Sequence, residues 1–193
     1  MTIQFKSAIA IGLLGLAAAA HATSPTVTVT GSTAGVTNAA AAADGFTPAN
    51  STQWQTTSAW WTSTSESITF TLDQAYHLSS ATVTLDNNDV YRFYGSTDGV
   101  NYTTLFTVSG LFDQPSGTNV GFGQVTMPVT FAQTAIAYRY VRVQALFGDS
   151  AYGVGEVGFG GVAAAVPEPS SLALLLGGVG LVGFVARRRQ NRG

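Results

Sequence analysis

The 193-residue chain has no cysteine, one lysine and two histidines, and charged residues make up only 9% of it. Each scarcity removes some chemistry. Without cysteine there can be no disulfide, no thiolate ligand and no cysteine nucleophile; exported proteins can do without disulfides, so compartment stays open on this count. The lysine, Lys6, lies near the start, and Arg187, Arg188, Arg189 and Arg192 lie at the end. The body between Thr23 and Val166 keeps only Arg92, Arg139 and Arg142 against nine carboxylates, a net charge of −6. An acidic body with no basic run argues against nucleic acid. The body's single histidine is His77, so a Ser-His-Asp triad would have to pass through it, and the polar segment Asp73–Ser80 around it reads as a surface turn between strands. A glycosidase needs only two facing carboxylates. Yet Asp73, Asp86, Asp89, Asp98 and Asp113 all fall in turn-like contexts, where such residues ordinarily hydrogen-bond the local backbone. A non-enzymatic body is expected, with a glycan hydrolase as the weakest rival.

Long apolar runs are confined to the two ends. The first, MTIQFKSAIAIGLLGLAAAAHA, places Lys6 before an apolar run from Ala8 to Ala20 and closes on Ala20-His21-Ala22, a small-x-small pattern. That is the layout of a secretory signal peptide over residues 1–22. A retained anchor is the alternative, disfavoured because the run is short for a span. At the other end, Leu172–Ala186 is 15 uncharged residues, 17 with Ser170 and Ser171. As a helix it covers about 25 Å, near the lower limit for a hydrocarbon core of about 30 Å. The run is apolar all round, unlike a core helix with one buried face. Positive flanks remain cytoplasmic, so Arg187, Arg188 and Arg189 place the body outside. The expected layout is a body over 23–160, a linker over 161–170, and a transmembrane helix with an arginine-rich tail over 171–193.

The body is rich in Thr, Ser, Gly, Val and aromatics, and alternating β-prone segments recur between turn residues. The clearer ones are Thr26–Thr30, Ser67–Leu72, Ala81–Leu85, Val90–Gly95, Thr103–Val108, Gln124–Phe131, Tyr138–Ala145 and Gly153–Phe159. Asp98-Gly99 marks a hairpin. In Tyr138–Ala145, Val141, Val143 and Ala145 share one face and Tyr140, Arg142 and Gln144 the other, which suits a sheet with one core side and one wet side. Ala39–Ala43 can form a short helical turn. The fold class is all-β: an antiparallel β-sandwich or jelly roll.

Two resemblances follow. Val166-Pro167-Glu168-Pro169, an apolar run and an arginine cluster, in that order at the C-terminus, resemble the PEP-CTERM sorting signal of Gram-negative bacteria. The resemblance implies export, inner-membrane anchoring until an exosortase (a membrane-embedded transpeptidase) acts, then a cell-surface or extracellular destination linked to exopolysaccharide production. The physical reading agrees, because two prolines keep the approach to the membrane extended and accessible. An ordinary uncut tail anchor is the alternative. Within the body, Asp44-Gly45, Thr52-x-Trp54, the stretch DNNDVYRFYGSTDGVNYTTL from Asp86 to Leu105, YRYVRVQA and finally Glu156 resemble, in order and spacing, the discoidin or coagulation-factor type C domain of the galactose-binding-like superfamily. That superfamily also holds many carbohydrate-binding modules. Tyr102 stands where a tryptophan is commoner.

The second resemblance implies a structural calcium held by Asp44, Thr52 and Glu156 with backbone carbonyls between Ala41 and Thr47, consistent with calcium's preference for six to eight hard oxygens. Asp44 could equally make a plain turn with Gly45, and Glu156 could face water. Ligand binding in such folds uses loops at one end; the candidates here are Trp54–Ser65, Leu111–Phe122 and Phe147–Tyr152. Trp60 and Trp61 are adjacent, so on a strand one of them points outward as a sugar-stacking surface, whereas Trp54 reads as core. Asp86–Asp89 reads as a turn entering the next strand. The expected function is an exported, non-catalytic module that binds a glycan or polysaccharide; the rival is a structural or adhesive matrix protein without a defined ligand.

Overall fold

The structure is a computed structural model that describes residues 22–110, 123–165 and, in the tail, 176–180, 183 and 187–188. The chain falls into two compact units, one ending at Ala163 and one beginning at Ala164. Among its described residues the first is all-β apart from one 3₁₀ turn, Ala39–Ala43. Its strands are β1 (Ala22–Thr23), β2 (Val27–Ser32), β3 (Ala59–Trp61), β4 (Ser67–Asp86), β5 (Val90–Ser96), β6 (Thr103–Ser109), β7 (Gln124–Thr130), β8 (Tyr138–Phe147) and β9 (Tyr152–Ala163). Every pairing is antiparallel.

The long strand β4 organises the sandwich. Its first part, Ser67–Thr71, lies between β2 and β8, and β8 continues the layer to β5 and β6. Its second part pairs with β9 and β7, and β9 also takes β1 and β3. The register shift between Thr71 and Tyr76 is where β4 passes from one layer to the other. Alternation decides the faces: Ile68, Phe70 and Leu72 are buried while Ser67, Thr69 and Thr71 are half-buried on the outside. The same period buries Val141, Val143 and Ala145 on β8 against Phe93 and Tyr91 on β5 and Val157 and Phe159 on β9. Phe93 stacks on Phe106 at 4.6 Å, Phe106 on Phe131 at 5.0 Å, and Phe93 meets the edge of Phe159 at 6.4 Å. Each such ring contributes roughly 1.5–3 kcal/mol by leaving water.

Two expectations need correction. Ser67–Leu72 and Ala81–Leu85 belong to one continuous strand, so Asp73–Ser80 is not a turn. His77 within it is half-buried, with Nδ1 2.8 Å from the Thr134 carbonyl oxygen. The last strand runs on to Ala163, past the expected start of the linker. In the tail, residues 176–180, 183 and 187–188 are helical, with Leu176 and Val179 exposed. No helix among the described residues is long and apolar enough to cross a membrane. The sorting motif Val166, Pro167, Glu168 and Pro169, together with Arg189 and residues 1–21 of the expected signal peptide, lies outside the described residues.

Candidate binding site at the loop end

At one end of the sandwich, the segment before β3, the β4–β5 turn and the β8–β9 loop enclose a cavity of about 280 Å³. Ser51, Gln53, Trp54, Asp86, Asn87, Asn88, Gly123 and Asp149 line it. Strand β4 delivers Asp86 to the rim from a stretch buried on both faces, Val83 to Asp86. Backbone hydrogen bonds tie the walls together: Ser51 N–H donates to the Gln124 carbonyl at 2.8 Å, Gln124 N–H to that of Thr52 at 2.9 Å, and Asn87 N–H to that of Gly123 at 3.1 Å. Gly123 is required here twice over. Its φ is +96°, and a Cβ would lie 2.3 Å from the Thr52 carbonyl oxygen.

Carboxylates dominate the polar side of the cavity. Asp149 accepts from Asn88 Nδ2 at 2.8 Å and, through its other oxygen, from Ala151 N–H at 2.9 Å. Asp89 lies fully buried beneath, accepting from the Tyr91 hydroxyl at 3.1 Å and from Asp149 N–H at 3.3 Å. Tyr91 in turn accepts from Gly153 N–H at 2.9 Å. Burial pushes the Asp86 carboxyl up to about 6, with Asp149 adding to the shift. Burial, followed by the neighbouring Asp86 charge, pushes Asp89 up to about 7. The Tyr91 hydroxyl is raised for the same reasons, burial first and the Asp89 charge second.

The aromatic side differs from expectation. Trp61 is fully buried and belongs to the core, meeting Tyr91 and Tyr152 with ring centroids 6.2 Å away in each case. It cannot stack on a sugar, which corrects its assignment as a candidate surface. Trp60 is the outward member of the pair, half-buried, with its ring 5.5 Å from Trp54 in an edge-to-face contact. Trp54 is not core: it is half-buried and lines the cavity. The Trp54 carbonyl accepts from the Ser58 hydroxyl, and Ser58 accepts from Gln124 Nε2, so this loop is pinned to β7. The segment Asp86–Asp89 is a turn, as its sequence suggests, but it also builds a cavity wall. Two of the expected ligand-binding loops, those beginning at Trp54 and at Phe147, contribute lining residues, whereas 111–122 lies outside the described residues.

The residues singled out for calcium come together only in part. Glu156 on β9 accepts from Gly45 N–H at 3.2 Å, and Asp44 Oδ1 accepts from Phe46 N–H at 2.8 Å. Glu156 is raised by burial, with the nearby Asp44 charge adding to the shift and backbone N–H groups opposing it. The half-buried Glu156 thus lies near the exposed Asp44 carboxylate, and hard oxygen donors of this kind suit a divalent cation. The Thr52 hydroxyl donates to the Ala49 carbonyl at 2.6 Å. Among the described residues, no group of three or more His, Cys, Asp or Glu side chains is placed to hold a metal ion.

The F5/8 type C domain family matches residues 20–156, and the PEP-CTERM protein-sorting motif matches residues 165–189. No curated protein matches the chain. Among solved structures, the chain is similar to CBM32-3 from a family 31 glycoside hydrolase from Clostridium perfringens, at 19% identity and TM-score 0.47, covering 70% of this chain and 91% of that one. It is similar to the family 32 CBM from C. perfringens NanJ in complex with galactose, at 17% identity and TM-score 0.47, covering 72% of this chain and 99% of that one. It is also similar to C. perfringens CpGH89 in complex with its substrate GlcNAc-alpha-1,4-galactose, at 19% identity and TM-score 0.50, covering 75% of this chain but 15% of that much longer one. At 19% identity the last of these likenesses is one of fold.

Proposed function

Because this chain belongs to the F5/8 type C domain family and carries a PEP-CTERM protein-sorting motif, we propose that it is an exported, non-catalytic module whose loop end binds carbohydrate. The observation that carries this reading is Trp54 on the wall of a cavity whose lining also includes Asp86, Asn87, Asn88 and Asp149. A sugar presents an apolar C–H face and a rim of hydroxyls. An indole beside carboxylate and amide groups answers both, with area from the ring and orientation from the polar groups. Loss of binding across a glycan panel on Trp54→Ala, by at least about tenfold or 1.4 kcal/mol, with an unchanged melting temperature, tests it. Equal binding by the variant contradicts the site. Absence of binding to every polysaccharide favours the matrix role, and hydrolysis that survives purification favours an enzyme.

Calcium enters as part of this proposal. Asp44 and Glu156 would hold it, with carbonyls of the 41–47 segment, and the ion would relieve the repulsion between the two carboxylates. The measurement is the melting temperature with and without calcium: a rise expected for the native chain and abolished in Glu156→Gln. For the tail, we propose membrane insertion of the 172–186 run and processing by an exosortase. The apolar length and the arginines that follow support it.

A further inference from the structure

The fold places all three cations of the body on two adjacent strands: Arg92 on β5, and Arg139 and Arg142 on β8. The layer containing them, β2, the first part of β4, β8, β5 and β6, contributes no carboxylate from Val27–Ser32, Ser67–Leu72, Val90–Ser96, Thr103–Ser109 or Tyr138–Phe147. In a body of net charge −6, this is a segregation of sign that the linear sequence does not display.

Register makes the arginines into a face. Thr69 and Tyr94 flank Arg142 on either side, and Gln144 and Thr107 flank Arg92. All of these alternate with buried residues and so point away from the core. Because Arg142 pairs with Tyr94 and Arg92 with Gln144, the two arginines sit on a diagonal of roughly 7–8 Å across the strand pair. Tyr140 extends the row along β8, and Ser67, Thr69 and Thr71 border it with hydroxyls. The Arg142 guanidinium lies 3.8 Å over the Tyr102 ring, and Arg92 Nε donates to the Thr107 hydroxyl at 3.2 Å. Among the described residues, no carboxylate is paired with either arginine. Asp98, in the turn between β5 and β6, is occupied by Ser96, Val100 and Asn101.

From this we infer that the outer face of β5 and β8 binds a carboxylate-bearing polysaccharide, as a second surface separate from the loop-end cavity. Two positioned guanidinium groups with no carboxylate paired to them among the described residues match uronate groups, which arginine holds through paired N–H donors. Tyrosines and hydroxyls beside them suit the sugar rings between those groups. The face is a row across strands, which fits an extended chain. The body's net negative charge does not prevent this, because carboxylates farther away than about 8 Å are screened at physiological salt.

The test uses the full-length protein in detergent and two probes that share a backbone, polygalacturonate and its methyl ester. Wild type and Trp54→Ala are expected to bind polygalacturonate alike, more weakly as salt rises, and to ignore the ester. Arg92→Gln/Arg142→Gln is expected to lose polygalacturonate binding by at least about tenfold while keeping its melting temperature and its loop-end ligand. If the double variant is unstable, Arg92→Gln alone reports the same loss in smaller degree, since among the described residues the side chain's hydrogen bond is to an exposed threonine. Undiminished binding by both arginine variants, equal binding of the ester, or no polygalacturonate binding by wild type overturns the proposal. Loss confined to Trp54→Ala would instead assign all binding to the cavity.

Discussion

Asp86 lines the cavity and Asp89 lies buried beneath it, both where a charge is poorly solvated, and they hold protons up to about pH 6 and 7. An unfolded aspartate releases its proton near 3.9. Between those values the native state binds more protons than the unfolded state, so stability declines as pH rises. The melting temperature is therefore expected to be higher near pH 5 than near pH 8, and Asp89→Asn should flatten that slope. The amide oxygen can keep one of the two bonds, that from Asp149 N–H, while the amide NH2 replaces the oxygen that accepts from the Tyr91 hydroxyl, so the variant removes the charge at the cost of one acceptor; an unchanged slope would show that Asp89 is not responsible. The adjacent tryptophans divide by burial in the same way. Trp61→Ala should cost roughly 3–5 kcal/mol in denaturant unfolding, as expected for truncating a fully buried ring, whereas Trp60→Ala should cost clearly less. Equal costs would contradict the assignment of Trp61 alone to the core.

At the scale of elements, the β5–β6 hairpin depends on one carboxylate. Asp98 accepts from Val100 N–H, Asn101 N–H and the Ser96 hydroxyl, and these bonds hold its carboxyl well below the usual range. That tether is complete above the ordinary aspartate value and is lost only in stronger acid. Asp98→Ala should accelerate amide exchange at Gly99–Tyr102 at neutral pH while leaving β4 protected; unaltered exchange would show that the turn holds itself. This hairpin was legible in sequence because its signals are local: Asp-Gly between two alternating runs. Alternation likewise revealed the faces of β8, and the alanine run revealed the helical turn at Ala39–Ala43. Strand β4 was not legible throughout, because Asp73 and His77 look like turn residues until their partners are known. Asp73 accepts from Thr26 N–H and the Tyr76 hydroxyl, and His77 faces the Thr134 carbonyl. Two of those partners are far away in sequence. Trp54 was misread for a similar reason, since its place on a cavity wall depends on Asp86 and Asp149 arriving from distant loops.

At the scale of the molecule, the sandwich sets carboxylates at the loop end and arginines on one sheet face, and the chain continues into a sorting motif. The arrangement suits a protein handed across a membrane to work among polysaccharides. In a host that makes an exosortase, the mature protein is expected to begin at Thr23 and to lack the residues after the Pro167-Glu168-Pro169 motif by mass spectrometry. A full-length cytosolic product with its leader intact would contradict export. The claim on which the functional account rests is narrower: a sugar sits against Trp54. Protein NMR of the body, titrated with a glycan taken from the panel, reads that contact directly. The account predicts that the Trp54 indole and the Asn88 and Asp149 amides shift together and saturate with one affinity; a bound glycan that leaves these three signals unmoved while shifting others would contradict it.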